Sequence, residues 1–290
     1  MRPHLSLFKI MPLLLFFMLE FAYAQIGIKI SSERKRYLRY EPVEITLLIQ
    51  NNSGNTLMFG KDSRGKPQGR LLFSVRSPNG RFVRPLDPNA NPIDGMIFAP
   101  GQIRELKLML NNFYDLQAED FYNINAYLEH QRISKAFESN QLTIEVREGT
   151  TLYEKKIGLP TEKADDPIHT VTATLMRFDE TENDIYCLRI DDEDRVYGTF
   201  RVGPYIQASK PQMEADEASA IHVLVQIYPR LYKYAVFSVI HGEATQRIEK
   251  YFVPDGGVPT LSRATGYLKV LHARQAKEGV DFKYEPKKNK

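Results

Sequence analysis

The chain holds one cysteine and no tryptophan in 290 residues. A lone Cys187 excludes an internal disulfide, so the fold must rest on its hydrophobic core. No apolar run approaches the roughly 20 residues that a membrane-spanning helix needs. Neither sign of charge dominates: 39 basic against 36 acidic residues leave +3. So small and mixed a charge argues against nucleic acid as a partner. Also missing are H-E-x-x-H, G-x-S-x-G, a P-loop, G-x-G-x-x-G and C-x-x-C. Catalytic groups that converge from distant positions leave no such signature. From the sequence, therefore, no catalytic residue, metal ligand or cofactor site is assigned.

What is present begins with a leader. Arg2 and Lys9 form a basic start, residues 10–19 are a short apolar run, and Ala22-Tyr23-Ala24 is a small-residue cleavage site. This is the pattern of a secretory signal peptide over residues 1–24. Its removal takes away two bases and one acid, which lowers the charge from +3 to +2. The expected mature chain starts at Gln25, is exported to the periplasm or beyond, and has no transmembrane segment.

Beyond the leader the apolar period is two. Val43, Ile45, Leu47 and Ile49 alternate with Glu44, Thr46, Leu48 and Gln50, the pattern of a strand with one buried face. Residues 70–75 and 81–84 flank Ser77-Pro78-Asn79-Gly80, a hairpin signal. Leu106, Leu108 and Leu110, then Tyr122, Ile124, Ala126 and Leu128, then Leu142, Ile144 and Val146 supply further inward faces. Sixteen Phe and sixteen Tyr suit such pleated surfaces. Residues 86–101, rich in Pro, Asn, Asp and Gly, read as a long surface loop. The expectation is an all-β fold, with a sandwich over residues 25–148.

Tyr40-Glu41-Pro42-Val43, Asn51-Asn52-Ser53-Gly54, Ala99-Pro100-Gly101, Phe121-Tyr122-Asn123-Ile124 and Ser139-Asn140-Gln141-Leu142 carry a resemblance. In these stretches the chain resembles bacterial extracellular immunoglobulin-like domains and the bacterial proteinase-inhibitor-like sandwich. The resemblance implies an immunoglobulin-like β-sandwich there and names no partner.

Residues 149–168, with Lys155, Lys156, Pro160, Lys163, Asp165, Asp166 and Pro167, read as a linker. A second β-rich domain, sandwich or barrel, is expected over residues 169–275. Its strands fall at 171–178, 185–190, 195–202, 221–227, 234–240, 248–253 and 267–272, and 212–218 has the look of a short helix. Residues 276–290 read as a basic, disordered tail.

Four places invite a chemical reading. Asp191-Asp192-Glu193-Asp194 lies between two strands. Counted as a calcium loop from Asp191, position six is Val196 and position twelve is Val202, where Gly and Glu are required. The stretch therefore reads as an exposed hairpin tip of mutually repelling charges. On that reading, replacing Asp192 and Glu193 with Asn and Gln is neutral or slightly stabilising. His222, His241, Glu243 and His272 offer metal-ligand chemistry only if the fold brings them together. Cys187 shares a strand face with Ile185 and Arg189 and reads as a buried, inert thiol. Tyr228, Arg230, Tyr232 and Tyr234 form the candidate binding surface, because Tyr and Arg are enriched at binding hot spots; the favoured reading of the stretch is a hairpin loop whose tyrosines pack on the sheet while Arg230 and Lys233 extend to water. The functional expectation is a secreted, non-enzymatic binding or structural module for a protein or a cell-envelope glycan. An inhibitor of an extracellular protease, working through the loop 86–101, and an envelope or polysaccharide hydrolase are the alternatives. The oligomeric state is left open.

Overall fold

Alternation along each strand decides which side is buried, and it builds two hydrophobic cores. A computed structural model describes residues 25–62, 64–133, 135–159, 169–264 and 267–283. The expected leader 1–24, residues 160–168 of the expected linker and the last residues, 284–290, lie outside the described residues. Strands make up 60% of the described residues against 1% helical residues, so the all-β expectation holds.

The first half contains β1 (Ile26–Ser31), β2 (Arg36–Leu38), β3 (Glu44–Asn51), β4 (Leu57–Phe59), β5 (Gly69–Arg76), β6 (Met96–Phe98), β7 (Ile103–Met109), β8 (Asp120–His130), β9 (Phe137–Glu138) and β10 (Leu142–Arg147). One sheet runs β1-β3-β7. The second runs β2-β10-β8-β5, with β9 beside β8. All pairs are antiparallel except β2 with β10, which is parallel. Ile45, Leu47 and Ile49 of one sheet face Leu71, Tyr122, Ile124 and Leu128 of the other in a single core. The loop 86–101 is only partly a surface loop. Ile93 and Phe98 are buried, and β6 pairs with β4, because this stretch carries apolar anchors among its turn residues. The arm after Asn79-Gly80 forms only a bridge, Arg76 to Phe82, rather than a strand.

The second half contains β11 (Thr150–Leu159), β12 (His169–Asp179), β13 (Asp184–Asp191), β14 (Val196–Pro204), β15 (Gln212–Ala215), β16 (Ile221–Tyr228), β17 (Leu231–Ile240), β18 (Glu243–Pro254), β19 (Thr260–Ala264), β20 (Tyr267–Leu271) and β21 (Ala273–Gln275). Two antiparallel meanders, β11-β12-β13-β14 and β15-β16-β17-β18-β21, enclose the second core. The hairpin β19-β20 lies over the outside of β16 and β17, where Leu261 and Val270 pack on Leu224, Tyr232, Tyr234 and Val236. Gln212 fastens it, accepting from Leu261 N at 2.8 Å and donating to Pro259 O at 3.1 Å.

Three sequence expectations are corrected here. Residues 150–159 are no linker: they are the edge strand β11, paired with β12 from Thr150–Arg177 to Leu159–His169. An edge strand shows water its outer side, and that accounts for the polar composition. Residues 212–218 form a strand and a turn rather than a helix. The turn is held by Asp216 Oδ1, which accepts from Ala218 N at 3.0 Å and Ala220 N at 2.9 Å. Residues 276–283 of the expected tail join the fold: Ala276 N donates to Tyr251 O at 2.8 Å, Phe282 packs on the second core, and Arg274 and Asp281 pair at 2.6 Å.

The halves meet through the turn that joins β2 to β3. Glu41 N donates to Leu38 O at 2.8 Å, and Tyr40 takes a left-handed φ of 68°. Leu38 enters a small apolar cluster with Met176, Phe178 and Cys187 on the outer face of the β12-β13 sheet. Beside it Arg201 grips the buried Glu41, and Arg36 joins Glu145 at 2.8 Å and Asp179 at 3.2 Å.

Candidate functional site

Part of the outer face of β11–β14 is covered by the first half of the chain, where Leu38 packs on Met176, Phe178 and Cys187, and another part forms an open groove. The inner face takes Val171, Ala173, Leu175, Tyr186, Leu188 and Ile190 into the core. Residues at the intervening positions point outward, because strand side chains alternate. At the covered end these are Met176, Phe178 and Cys187. At the open end they are Thr170 and Thr172; Thr174, between the two ends, is only 5% exposed.

The register sets charged side chains on both sides of these threonines. Lys156 lies across from Thr172, and Thr172 across from Asp191. Glu154 lies across from Thr174, and Thr174 across from Arg189. The two rows therefore run in opposite senses, cation to anion and anion to cation, with a threonine hydroxyl at the centre of each. Together with His169 and the turn 192–194 they line an open groove of about 540 Å³. Its carboxylates, Glu154, Asp191, Asp192, Glu193 and Asp194, outnumber its fixed cations, Lys156 and Arg189.

Several of these side chains are held firmly. Arg189 Nη1 donates to both oxygens of Glu148, at 2.9 and 2.8 Å, and its Nε donates to Asp191 at 2.8 Å. Burial raises the Asp191 pKa, and the adjacent guanidinium opposes that shift. Across the halves, the Arg189 guanidinium lies 5.6 Å over the Tyr40 ring.

At the end of the groove Asp192 closes the hairpin between β13 and β14. Its Oδ1 accepts from Asp194 N and Arg195 N, both at 2.8 Å. Its Oδ2 accepts from the Tyr197 hydroxyl at 2.5 Å and lies 2.9 Å from His169 Nε2. His169 Nε2 also lies 2.5 Å from the Tyr197 oxygen. A proton on Nε2 satisfies all three groups, since Tyr197 then donates to Asp192 and accepts from His169. The Tyr197 hydroxyl, with the two backbone amides and His169, holds the Asp192 carboxyl down at about 2. The expectation of four repelling, exposed charges is thus wrong for Asp192. The register that pairs Thr172 with Asp191 brings His169 beside the turn.

The sequence candidates are distributed differently. Tyr228 is 59% exposed and Arg230 sits at a φ of 63° in the tight turn between β16 and β17. Tyr232 and Tyr234, however, are each 8% exposed beneath β19-β20. The four do not form one exposed surface. Tyr234 Oη lies 2.6 Å from Nδ1 of the buried His222, whose Nε2 is 3.0 Å from Asp216. His241 and His272 occupy separate turns with left-handed φ angles. Among the described residues no group of three or more His, Cys, Asp or Glu side chains is placed to hold a metal ion. Cys187 is buried, and burial drives its thiol pKa far up.

No family model, curated protein or solved structure matches this chain. The groove is what the geometry itself offers. Its polar, mixed-charge lining suits a ligand that both donates and accepts hydrogen bonds. His169 was not singled out in the sequence, because its partners Asp192 and Tyr197 come from a different strand and turn. The one local signal for the groove is the run Thr170-Val171-Thr172-Ala173-Thr174, which places three hydroxyls on one strand face.

Proposed function

We propose that this chain is an exported two-domain binding module that holds a hydroxyl-rich ligand of the cell envelope, a glycan, in the groove on the outer face of β11–β14. The observation that carries this reading is the pair of reversed rows, Lys156–Thr172–Asp191 and Glu154–Thr174–Arg189. The first row sets an ammonium, a hydroxyl and a carboxylate at the spacing of adjacent strands, about 4.8 Å, while in the second the buried Thr174 and the ion-paired Arg189 brace the floor of the groove. Sugar hydroxyls act as both donor and acceptor and match such a surface. Export is inferred from the leader pattern at residues 1–24. No helix among the described residues is long and apolar enough to cross a membrane.

The immunoglobulin-like reading of residues 25–148 belongs to the same proposal. The grouping of β1, β3 and β7 against β5, β8 and β10 parallels the division of strands in that sandwich. Tyr122, near the start of β8, donates to Ala118 O at 2.8 Å, which is the hydrogen bond of a tyrosine corner. In this account the first domain is the platform and the second presents the groove.

Cosedimentation with isolated, insoluble envelope polysaccharide tests the reading. Retention of the protein in the pellet, reversed by soluble fragments of the same polysaccharide, is expected. Protein left in the supernatant at every polysaccharide concentration contradicts it.

One observation favours a second reading, a polysaccharide hydrolase. His169 is half exposed at the groove and bonded to Asp192, an arrangement able to exchange a proton with a bound substrate. Release of new reducing ends from the same polysaccharide, abolished in His169→Ala, marks that case. Binding without release marks the first.

A further inference from the structure

We infer that Gln25 closes on itself to form a pyroglutamyl cap once the leader is removed. The inference rests on the export reading above, which makes Gln25 the first residue of the mature chain.

The fold pins this residue through its carbonyl and, among the described residues, leaves its side-chain amide without a hydrogen bond. Asn52 N donates to Gln25 O at 2.8 Å, tying it to the end of β3. The next side chain, Ile26, is 2% exposed in the first core. Gln25 itself is exposed, and its side-chain amide makes no hydrogen bond to the described residues. The amide can therefore turn back onto the α-amino group without giving up a contact.

The chemistry is self-contained. The uncharged α-amino nitrogen attacks Cδ of its own side chain. The bond from Cδ to the amide nitrogen breaks, and ammonia leaves with the proton shed by the attacking amine. A five-membered lactam remains, and no oxidant or second reactant is consumed. The carbonyl that receives Asn52 N–H takes no part, so the anchoring of β1 survives. Only the free amine is nucleophilic, and closure quickens as the pH rises toward the α-amino pKa of about 8. The product has lost its terminal positive charge and offers no free amine to an aminopeptidase, which suits an exported protein.

Intact-mass analysis of the full chain, expressed in an exporting host and recovered outside the cytoplasm, tests this. The expected mass is that of residues 25–290 less one ammonia, with stepwise N-terminal degradation blocked until a pyroglutamyl peptidase is added. The mass of unmodified 25–290, unchanged after prolonged incubation at neutral pH, overturns the cyclisation and leaves the export reading standing. A different first residue overturns both the cleavage site and the inference built on it. Gln25→Ala separates this closure from ring closure at Asn79-Gly80, and an ammonia loss that persists in that variant also overturns the assignment.

Discussion

Glu41 and Arg201, 160 residues apart in sequence, meet across the junction of the two halves. Arg201 Nε lies 2.5 Å from Oε1, and Nη2 lies 2.9 Å from Oε2. Glu41 also accepts from Leu38 N at 2.9 Å, so the same carboxylate shapes the turn and receives the other half. Burial alone would lower the Arg201 pKa, but Glu41 and Glu180 outweigh it and hold the guanidinium charged.

Removing Arg201 strands a buried carboxylate. Such losses cost about 3–5 kcal/mol. Arg34, 3.4 Å from Glu41, moderates this one. Arg201→Ala should lose about 2–4 kcal/mol and, in calorimetry, separate the unfolding of the two halves. One unshifted transition contradicts the junction described here.

Cys187 reports on the same junction. It is buried against Leu38, Met176 and Phe178, and its thiol is held protonated by burial. Alkylation of the native protein should be very slow, since the thiolate is the reactive form. In Arg201→Ala the rate should rise by an order of magnitude or more. Fast labelling of the wild type at neutral pH counts against the burial.

The inner faces were legible in the sequence because period two follows directly from strand geometry. Ile45, Leu47 and Ile49 are all buried, as are Tyr186, Leu188 and Ile190. The burial of outer faces was not legible, because it depends on what lies on top. Tyr232 and Tyr234 pack as the hairpin reading expected, but the cover, β19-β20, comes from a distant part of the chain, and Cys187 is closed over by a turn from the other half. Strand β11 was hidden by its bulge, which breaks the register between Thr151 and Tyr153 and scrambles the alternation of Leu152 with Ile157 and Leu159.

Asp192 gives a pH signature. Its carboxyl titrates near 2 in the folded protein, against about 4 in an unfolded chain. A depressed pKa stabilises the fold above the unfolded value, and that share is lost as the pH falls through about 4 toward 2. Asp192→Asn should cost about 1–2 kcal/mol at neutral pH and lose this part of the acid sensitivity. Chemical denaturation of both proteins from neutral pH to pH ~2 checks it. A neutral or stabilising effect restores the free-tip reading.

The two exposures along β16 and β17 predict unlike outcomes. Tyr232→Ala, a buried ring under the hairpin, should destabilise by about 3 kcal/mol or more. Tyr228→Ala should change stability by less than about 0.5 kcal/mol. Thermal melts that reverse this order contradict the placement of β19-β20.

The most direct test of the groove is titration of soluble envelope-glycan fragments into wild type and Thr172→Lys. Thr172 is the central outward residue of its row, so the lysine puts bulk and charge into the groove without touching the core. The account predicts at least tenfold weaker binding for Thr172→Lys with an unchanged melting temperature, and no loss for Tyr228→Ala. Equal affinity for Thr172→Lys and wild type, or loss of binding in Tyr228→Ala alone, contradicts it.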